Sequence, residues 1–289
     1  MKYDNQNNTT QLRKSIDESL ERLAHAVDDQ RASDTFRQYL DTLARFHRYS
    51  WKNCLLILAQ NPEATQVAGF TTWKKFDRCV RSGEKAIRIF APCPVMDEAG
   101  EEIERVFFKT ACVFDVSQTE GKDIPTFVVP EIEITADELL ERLERVANQR
   151  GIRLEYRDLR PGLYGQSRGG QILLAESVSS GQKAKSLAHE ICHESLHIND
   201  ESIGRQTAEL EAEAVAYVVC RHFGLDVELR ASRYITKWGG DGKKVAESFE
   251  RISRTARDVI EDLDAIGEKN AKAPQIPTTP LPYVINGYQ

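Results

Sequence analysis

The sequence predicts an α+β protein in two domains, and three observations carry that expectation. Helical patterns open the chain and short alternating runs follow them. A stretch marked by glycine and proline, without helix signals, then interrupts at residues 117–134. Beyond it, helical periods resume around two short apolar strands. Residues 1–116 therefore read as helices plus a small sheet, and residues 135–268 as a mainly helical domain with a small sheet of its own. Residues 269–289 hold four prolines and no period, and read as a flexible tail. At 289 residues, 40% of them hydrophobic, the chain is long enough for two cores.

In the first domain, the dozen residues at the start are polar and expected to fray. Leu12, Ile16, Leu20, Leu23 and Val27 recur at helical spacing, and so do Phe36, Tyr39, Leu40 and Leu43. Ser50 is placed to cap a third helix that stops before Asn61-Pro62. Residues 66–70, 86–90 and 106–114 read as strands, with a helix over 72–80, a turn at 81–84 and an acidic hairpin tip at 97–104.

In the second domain, Thr135 and Glu138 fit a capping box for a helix that ends at Gly151. Strands are expected at 152–156 and 171–174. Ser179 or Ser180 then caps a helix through His193, another helix spans 205–222 and stops at Gly224, and one or two more occupy 231–266.

The most informative motif is His189-Glu190-Ile191-Cys192-His193. On a helix, residues four apart share a face, so His189 and His193 can present two imidazoles to one zinc ion. Glu190, beside the first ligand, is placed to act as general base and acid. A catalytic zinc takes three protein ligands, and the next helix offers Glu209, Glu211 and Glu213. Glu209 is the expected third ligand and Glu211 the competitor. Glu213, one turn on from Glu209, is expected to hydrogen-bond a ligand histidine from behind. His197 lies too far along the helix to share the ion and reads as a residue favoured by the helix dipole. His25, His47 and His222 read as ordinary. Tyr164 precedes the strand at 171–174, where its phenol would stabilise an oxyanion or simply pack. That strand is also a possible edge for an extended peptide.

HEICHESLH followed by ELEAEAVAYVV resembles the ImmA/IrrE-type metallopeptidases. The resemblance covers about residues 135–226 and implies a gluzincin-type zinc peptidase acting on a protein substrate. Glu213 stands where many relatives have Asn or Asp.

Although the chain carries a formal net charge of −6, eight basic residues face three acidic ones between Phe46 and Pro94. Arg48, Lys52, Lys74, Lys75, Arg78 and Lys85 alternate there with Trp51, Trp73 and other aromatics. Single-stranded nucleic acid suits that combination, because cations follow phosphates and rings stack on bases. The alternative is that the rings are core and the charges a solvated face. Residues 53–62, 67–75 and 83–87 further resemble the N-terminal domain of the ArdC antirestriction proteins. That resemblance covers about residues 10–115 and implies single-stranded-DNA binding ahead of a metallopeptidase, with a role in antirestriction or protection of plasmid or phage DNA. Two other roles fit the same residues: a DNA-binding shield with structural or vestigial zinc, or an ImmA-like protease that cleaves a repressor.

No apolar run reaches the length of a membrane span and no secretory signal opens the chain, so the expected location is the cytoplasm. The six scattered cysteines read as buried small hydrophobes rather than disulfides.

Overall fold

The structure, a computed structural model, describes residues 2–24, 29–96, 102–123, 134–198, 200, 202–230 and 241–270. His25, most of the expected hairpin tip, residues 124–133 and the tail from 271 lie outside the described residues.

Helix α1 (Lys2–Ala24) buries Leu12, Ile16, Leu20 and Leu23 on one face. It starts ten residues before the expected boundary. It passes beside the strand Glu102–Asp115, where the Thr9 and Thr110 hydroxyls meet at 3.3 Å. Helix α2 (Asp29–Arg45) buries Phe36, Tyr39, Leu40 and Leu43. Ser50 caps α3 (Trp51–Gln60) by accepting from the Asn53 N–H at 3.3 Å, and the helix stops before Pro62.

Strand β1 (Val67–Gly69) leads into α4 (Phe70–Lys75), which is shorter than expected. Asp77 adopts φ 55°, a left-handed conformation that ends the helical run, and Arg78–Val80 form strand β2. The partner of β2 is β5 (Thr119–Gly121), in antiparallel register. The segment expected to begin the linker thus starts as a capped 3-10 turn at Val116–Gln118 and a paired strand. The Asp115 carboxylate, 1% exposed, holds that corner by accepting from the N–H groups of Thr65, Gln66 and Ser117. Strands β3 (Ile87–Met96) and β4 (Glu102–Asp115) form a long hairpin, and the sheet order is β1-β4-β3.

Thr135 caps α5 (Ala136–Gln149) through the Glu138 N–H, and Gly151 at φ 73° closes the helix. Strands β6 (Arg153–Arg157), β7 (Gly165–Ser167) and β8 (Gln171–Ala175) make a second sheet in the order β6-β8-β7. Since β8 is paired on both sides, the peptide edge expected there is already filled. The outer strands are β6 and β7. Ser179 caps α6 (Ser180–Cys192), which runs into a π-helical turn at His193–His197. Helices α7 (Arg205–His222) and α8 (Gly242–Asn270) complete the described chain.

One apolar core spans both halves. Phe36 and Tyr39 of α2 stack on Phe249 of α8, with the Tyr39–Phe249 centroids 4.1 Å apart. The Tyr217 hydroxyl donates to Asp41, and the Trp51 indole N–H donates to Glu250. The N-terminal helices therefore form part of the wall on which the second domain is built. Among the described residues no helix is long and apolar enough to cross a membrane. Four of the six cysteines are buried, but Cys79 and Cys112 are exposed, because each lies on the open face of a two-sided ladder rather than in the core.

Candidate metal centre

Helix α6 buries Leu187, Ala188 and Ile191 against the core, which leaves His189 and His193 one turn apart on its opposite side. Their Nε2 atoms lie 3.1 Å apart. Helix α7 brings the Glu209 carboxylate across, with Oε2 at 3.6 Å from His189 Nε2 and 4.0 Å from His193 Nε2. Donors around a tetrahedral ion with bonds of about 2.0–2.1 Å stand about 3.3–3.4 Å apart, and the three observed spacings bracket that value. His189, His193 and Glu209 therefore fit a single divalent metal.

Electrostatics suit His193 and Glu209 to that role, while the carboxylates around His189 favour a proton that a bound metal would displace. Burial, then the neighbouring His189, hold His193 down to about 4, so it presents a neutral lone pair at neutral pH. Burial also works against a charged His189, but the Glu209, Glu190 and Glu213 carboxylates outweigh it and raise that group. The hydrogen bond to His189 keeps Glu209 below its usual range and so ionised.

Glu190 is buried, and desolvation raises its carboxyl above the ordinary value despite the opposing influence of His189 and the Ser167 N–H. Strand β7 positions it: the Ser167 N–H donates to Oε2 at 2.8 Å. Gly165 lies against the same side chain so closely that a Cβ there would stand 2.8 Å from Cγ and Oε1. Only glycine lets β7 approach the carboxylate this way.

Glu194, one residue past the motif, anchors the same strand. Its carboxylate accepts from the Ser167 hydroxyl and from the N–H groups of Arg168, Gly169 and Gly170. Gly169 and Gly170 have φ of 70° and 77°, which turns those amides toward one anion. The β7–β8 turn is thereby tied to the end of the metal-bearing helix.

Behind the site runs a chain of polar contacts absent from the sequence reading. His193 Nδ1 lies 3.0 Å from His197 Nδ1, and His197 Nε2 lies 3.1 Å from Glu211 Oε2. Glu211, fully buried, also accepts from Nε and Nη2 of the Arg251 guanidinium and from the Ser248 hydroxyl. Although burial pushes Glu211 upward, those partners win and hold it below its usual range. His197 is thus the residue that holds His193 from behind, rather than a helix-end residue alone. The π-helical turn at 193–197 widens the backbone where it does so. Glu211, the competitor for the metal, faces away from it.

Glu213 stands 3.8 Å from His189 Nδ1, beyond hydrogen-bond length, and its Oε1 accepts instead from Lys185 Nζ and the Arg230 N–H, each at 2.7 Å. Tyr164 extends the β7 ladder through its carbonyl, which accepts from the Ala175 N–H. Its hydroxyl makes no hydrogen bond among the described residues.

The basic island is rearranged more strongly. Trp51 and Trp73 are 5% and 3% exposed, and their indole N–H groups donate to Glu250 and to the Phe114 carbonyl. Both are core, so neither is available to stack on a base. Arg78 is spent on the Thr119 hydroxyl and the Thr119 and Lys122 carbonyls. Lys52, Lys74, Lys75 and Lys85 are exposed, and Arg48 is half-buried. The exposed rings nearby are Phe70 at 46% and Phe76 at 39%, with Lys74 Nζ 4.8 Å from the Phe70 centroid.

Residues 6–126 match the family described as the N-terminal domain of anti-restriction factor ArdC. Residues 147–250 match the IrrE N-terminal-like domain of the peptidase M78 family. Among curated proteins, the uncharacterized protein pXO2-81 of Bacillus anthracis is 28% identical over 277 residues. That match covers 77% of this chain and 46% of the relative, so the chain spans about half the relative's length. Among solved structures, the metal-free antirestriction protein ArdC from plasmid R388 has a similar fold. Its TM-score is 0.53 at 21% identity, over 75% of this chain and 86% of that one. A Mn(II)-bound structure of the same R388 protein has a TM-score of 0.49 at 17% identity, over 78% and 98% respectively.

Proposed function

Because the chain is an ArdC-type protein, with an ArdC N-terminal domain ahead of an IrrE-like domain, we propose that it is a zinc metallopeptidase joined to a single-stranded-DNA-binding module. One observation carries the catalytic half: two imidazoles and a carboxylate converge within metal-binding distance beside a buried, aligned glutamate. Two nitrogen donors and one oxygen favour zinc over oxygen-seeking cations. When bound, the metal supplies a Lewis acid that activates water and polarises a peptide carbonyl.

The chain's own groups do the rest. Glu190 Oε2 is held by the Ser167 N–H, which leaves Oε1 to take a proton from the attacking water and return it to the leaving amine. Burial raises its affinity for that proton toward the range a base needs at neutral pH. His197, backed by Glu211 and Arg251, fixes the ring of His193. Of the two outer strands of its sheet, β7 is the one that contacts Glu190, which suits it to align an extended peptide.

For the DNA-binding half, the rearranged surface supports Phe70 and Phe76 as stacking rings, with Lys74 and Lys75 as phosphate contacts and Lys52, Lys85 and Arg48 as the surrounding field. The biological role proposed is antirestriction or protection of incoming plasmid or phage DNA, exercised in the cytoplasm on an unidentified protein substrate. Replacing Glu190 by Gln tests the enzyme reading. The variant should keep its metal and its DNA affinity but lose hydrolysis and the protective effect. Protection at the wild-type level by that variant would leave a DNA-binding shield as the function.

A further inference from the structure

A second set of metal-ligating side chains lies away from the HEICH helix. His47 sits in the loop between α2 and α3, His222 is the last residue of α7, and Asp264 belongs to α8. Each brings one donor atom to within 4.8 Å of the other two. We propose that His47, His222 and Asp264 form a second divalent-cation site, of the zinc class, that pins the N-terminal helices to the C-terminal ones.

His47 supplies the main argument. It is 7% exposed, and neither of its ring nitrogens has a hydrogen-bond partner. Buried polar side chains are almost always satisfied, so two orphaned nitrogens on one ring point to a missing partner that accepts a lone pair. Burial, then His222, Arg48 and Arg257, keep that ring neutral, which is the form a metal requires.

His222 supplies the second. Its Nδ1 lies 2.8 Å from the Ala44 carbonyl, so Nδ1 carries the proton and Nε2 is left as the acceptor. A ligand histidine is commonly held in this way, with one nitrogen on a backbone carbonyl and the other on the metal. The two rings meet edge to face at 4.5 Å.

Asp264 contributes the anionic donor, and because it is only half-buried, a water can complete a tetrahedron. Around a zinc ion the donors would stand about 3.3–3.4 Å apart, so loading would draw them closer than the 4.8 Å that bounds their present spacing. Arg257 steadies the loop by donating to the His47 and Tyr49 carbonyls at 2.9 and 3.1 Å. The same guanidinium and that of Arg48 repel a dication, so this centre is expected to bind more weakly than the one on α6.

The test uses the full chain with His189→Ala and His193→Ala, which removes the first centre and makes the result independent of the proposed peptidase. Zinc is measured by equilibrium dialysis, and Co2+ by its visible absorption. The expected result is one zinc per chain, a tetrahedral Co2+ spectrum, and loss of both when His47→Gln or Asp264→Asn is added. Asp264→Asn lies near the surface, so it separates loss of the site from loss of the fold, which circular dichroism checks. A correctly folded His189→Ala/His193→Ala chain that binds no zinc overturns the proposal. So does zinc binding that survives both His47→Gln and Asp264→Asn.

Discussion

Replacing Glu211 by glutamine removes one negative charge from the most buried carboxylate behind the metal centre. Glu211 is fully buried and faces Arg251, Ser248 and His197, with the shortest contact 2.6 Å from Arg251 Nη2. Glutamine keeps the shape but leaves the Arg251 guanidinium without its counter-charge. Breaking one side of a buried ion pair costs roughly 3–5 kcal/mol. Arg251 keeps 25% of its side chain in solvent, which places the expected loss near the lower end, at about 3 kcal/mol. A second effect follows at the metal. His197 loses an anionic acceptor and holds His193 less firmly, so zinc affinity should fall roughly 10- to 100-fold. Chelator competition measures the affinity and denaturant unfolding of the metal-free chain measures the stability. A variant within about 0.5 kcal/mol of wild type, with unchanged zinc affinity, would refute the reasoning that this chain of contacts supports the site. The same carboxylate sets a pH dependence. Its folded pKa is depressed, so the unfolded state binds the proton more readily as pH falls. Its stabilisation is complete above the unfolded value of about 4.3 and is lost as pH falls through the lower folded value.

Other outcomes follow from the same geometry. Glu190→Gln should bind zinc as wild type does while peptide hydrolysis drops about 10²- to 10⁴-fold, measured by turnover at saturating metal. Gly165→Ala drives a Cβ into the Glu190 carboxylate and should depress hydrolysis while zinc content stays unchanged; full activity would show that β7 does not position that group. Trp73→Ala should cost about 3–5 kcal/mol in unfolding free energy, because the ring is core. Phe70→Ala with Lys74→Ala should instead leave stability within about 0.5 kcal/mol and weaken single-strand binding, with a shallower salt dependence. Wild-type binding by that double variant would move the DNA surface elsewhere.

Local chemistry explains why so much of the fold could be read in advance. Ser50, Thr135 and Ser179 each cap a helix that begins at the next residue, because the cap bond joins atoms only three residues apart. His189 and His193 share a helix face for the same local reason, and Glu209 came next because its helix follows after a short loop. What stayed hidden depends on partners far along the chain. Arg251 lies 40 residues beyond Glu211, and nothing around His197 announces that it will meet Glu211. Trp51 and Trp73 look alike in a basic stretch whether they face solvent or core. Glu250 and the Phe114 carbonyl, 199 and 41 residues away, decide it. Strand β2 falls inside a helical sequence pattern, because the left-handed Asp77 and the distant β5 partner that make it a strand are invisible in its own residues. His47 and His222 read as ordinary for a related reason: their proximity is created only when the α2–α3 loop packs on the end of α7.

The most direct test of the metal centre is an anomalous-difference map recorded at the zinc edge from zinc-loaded protein. The geometry predicts a peak about 2.0–2.2 Å from His189 Nε2, His193 Nε2 and Glu209 Oε2 together. A map without a peak between those three atoms, or with Glu211 in the place of Glu209, would contradict it.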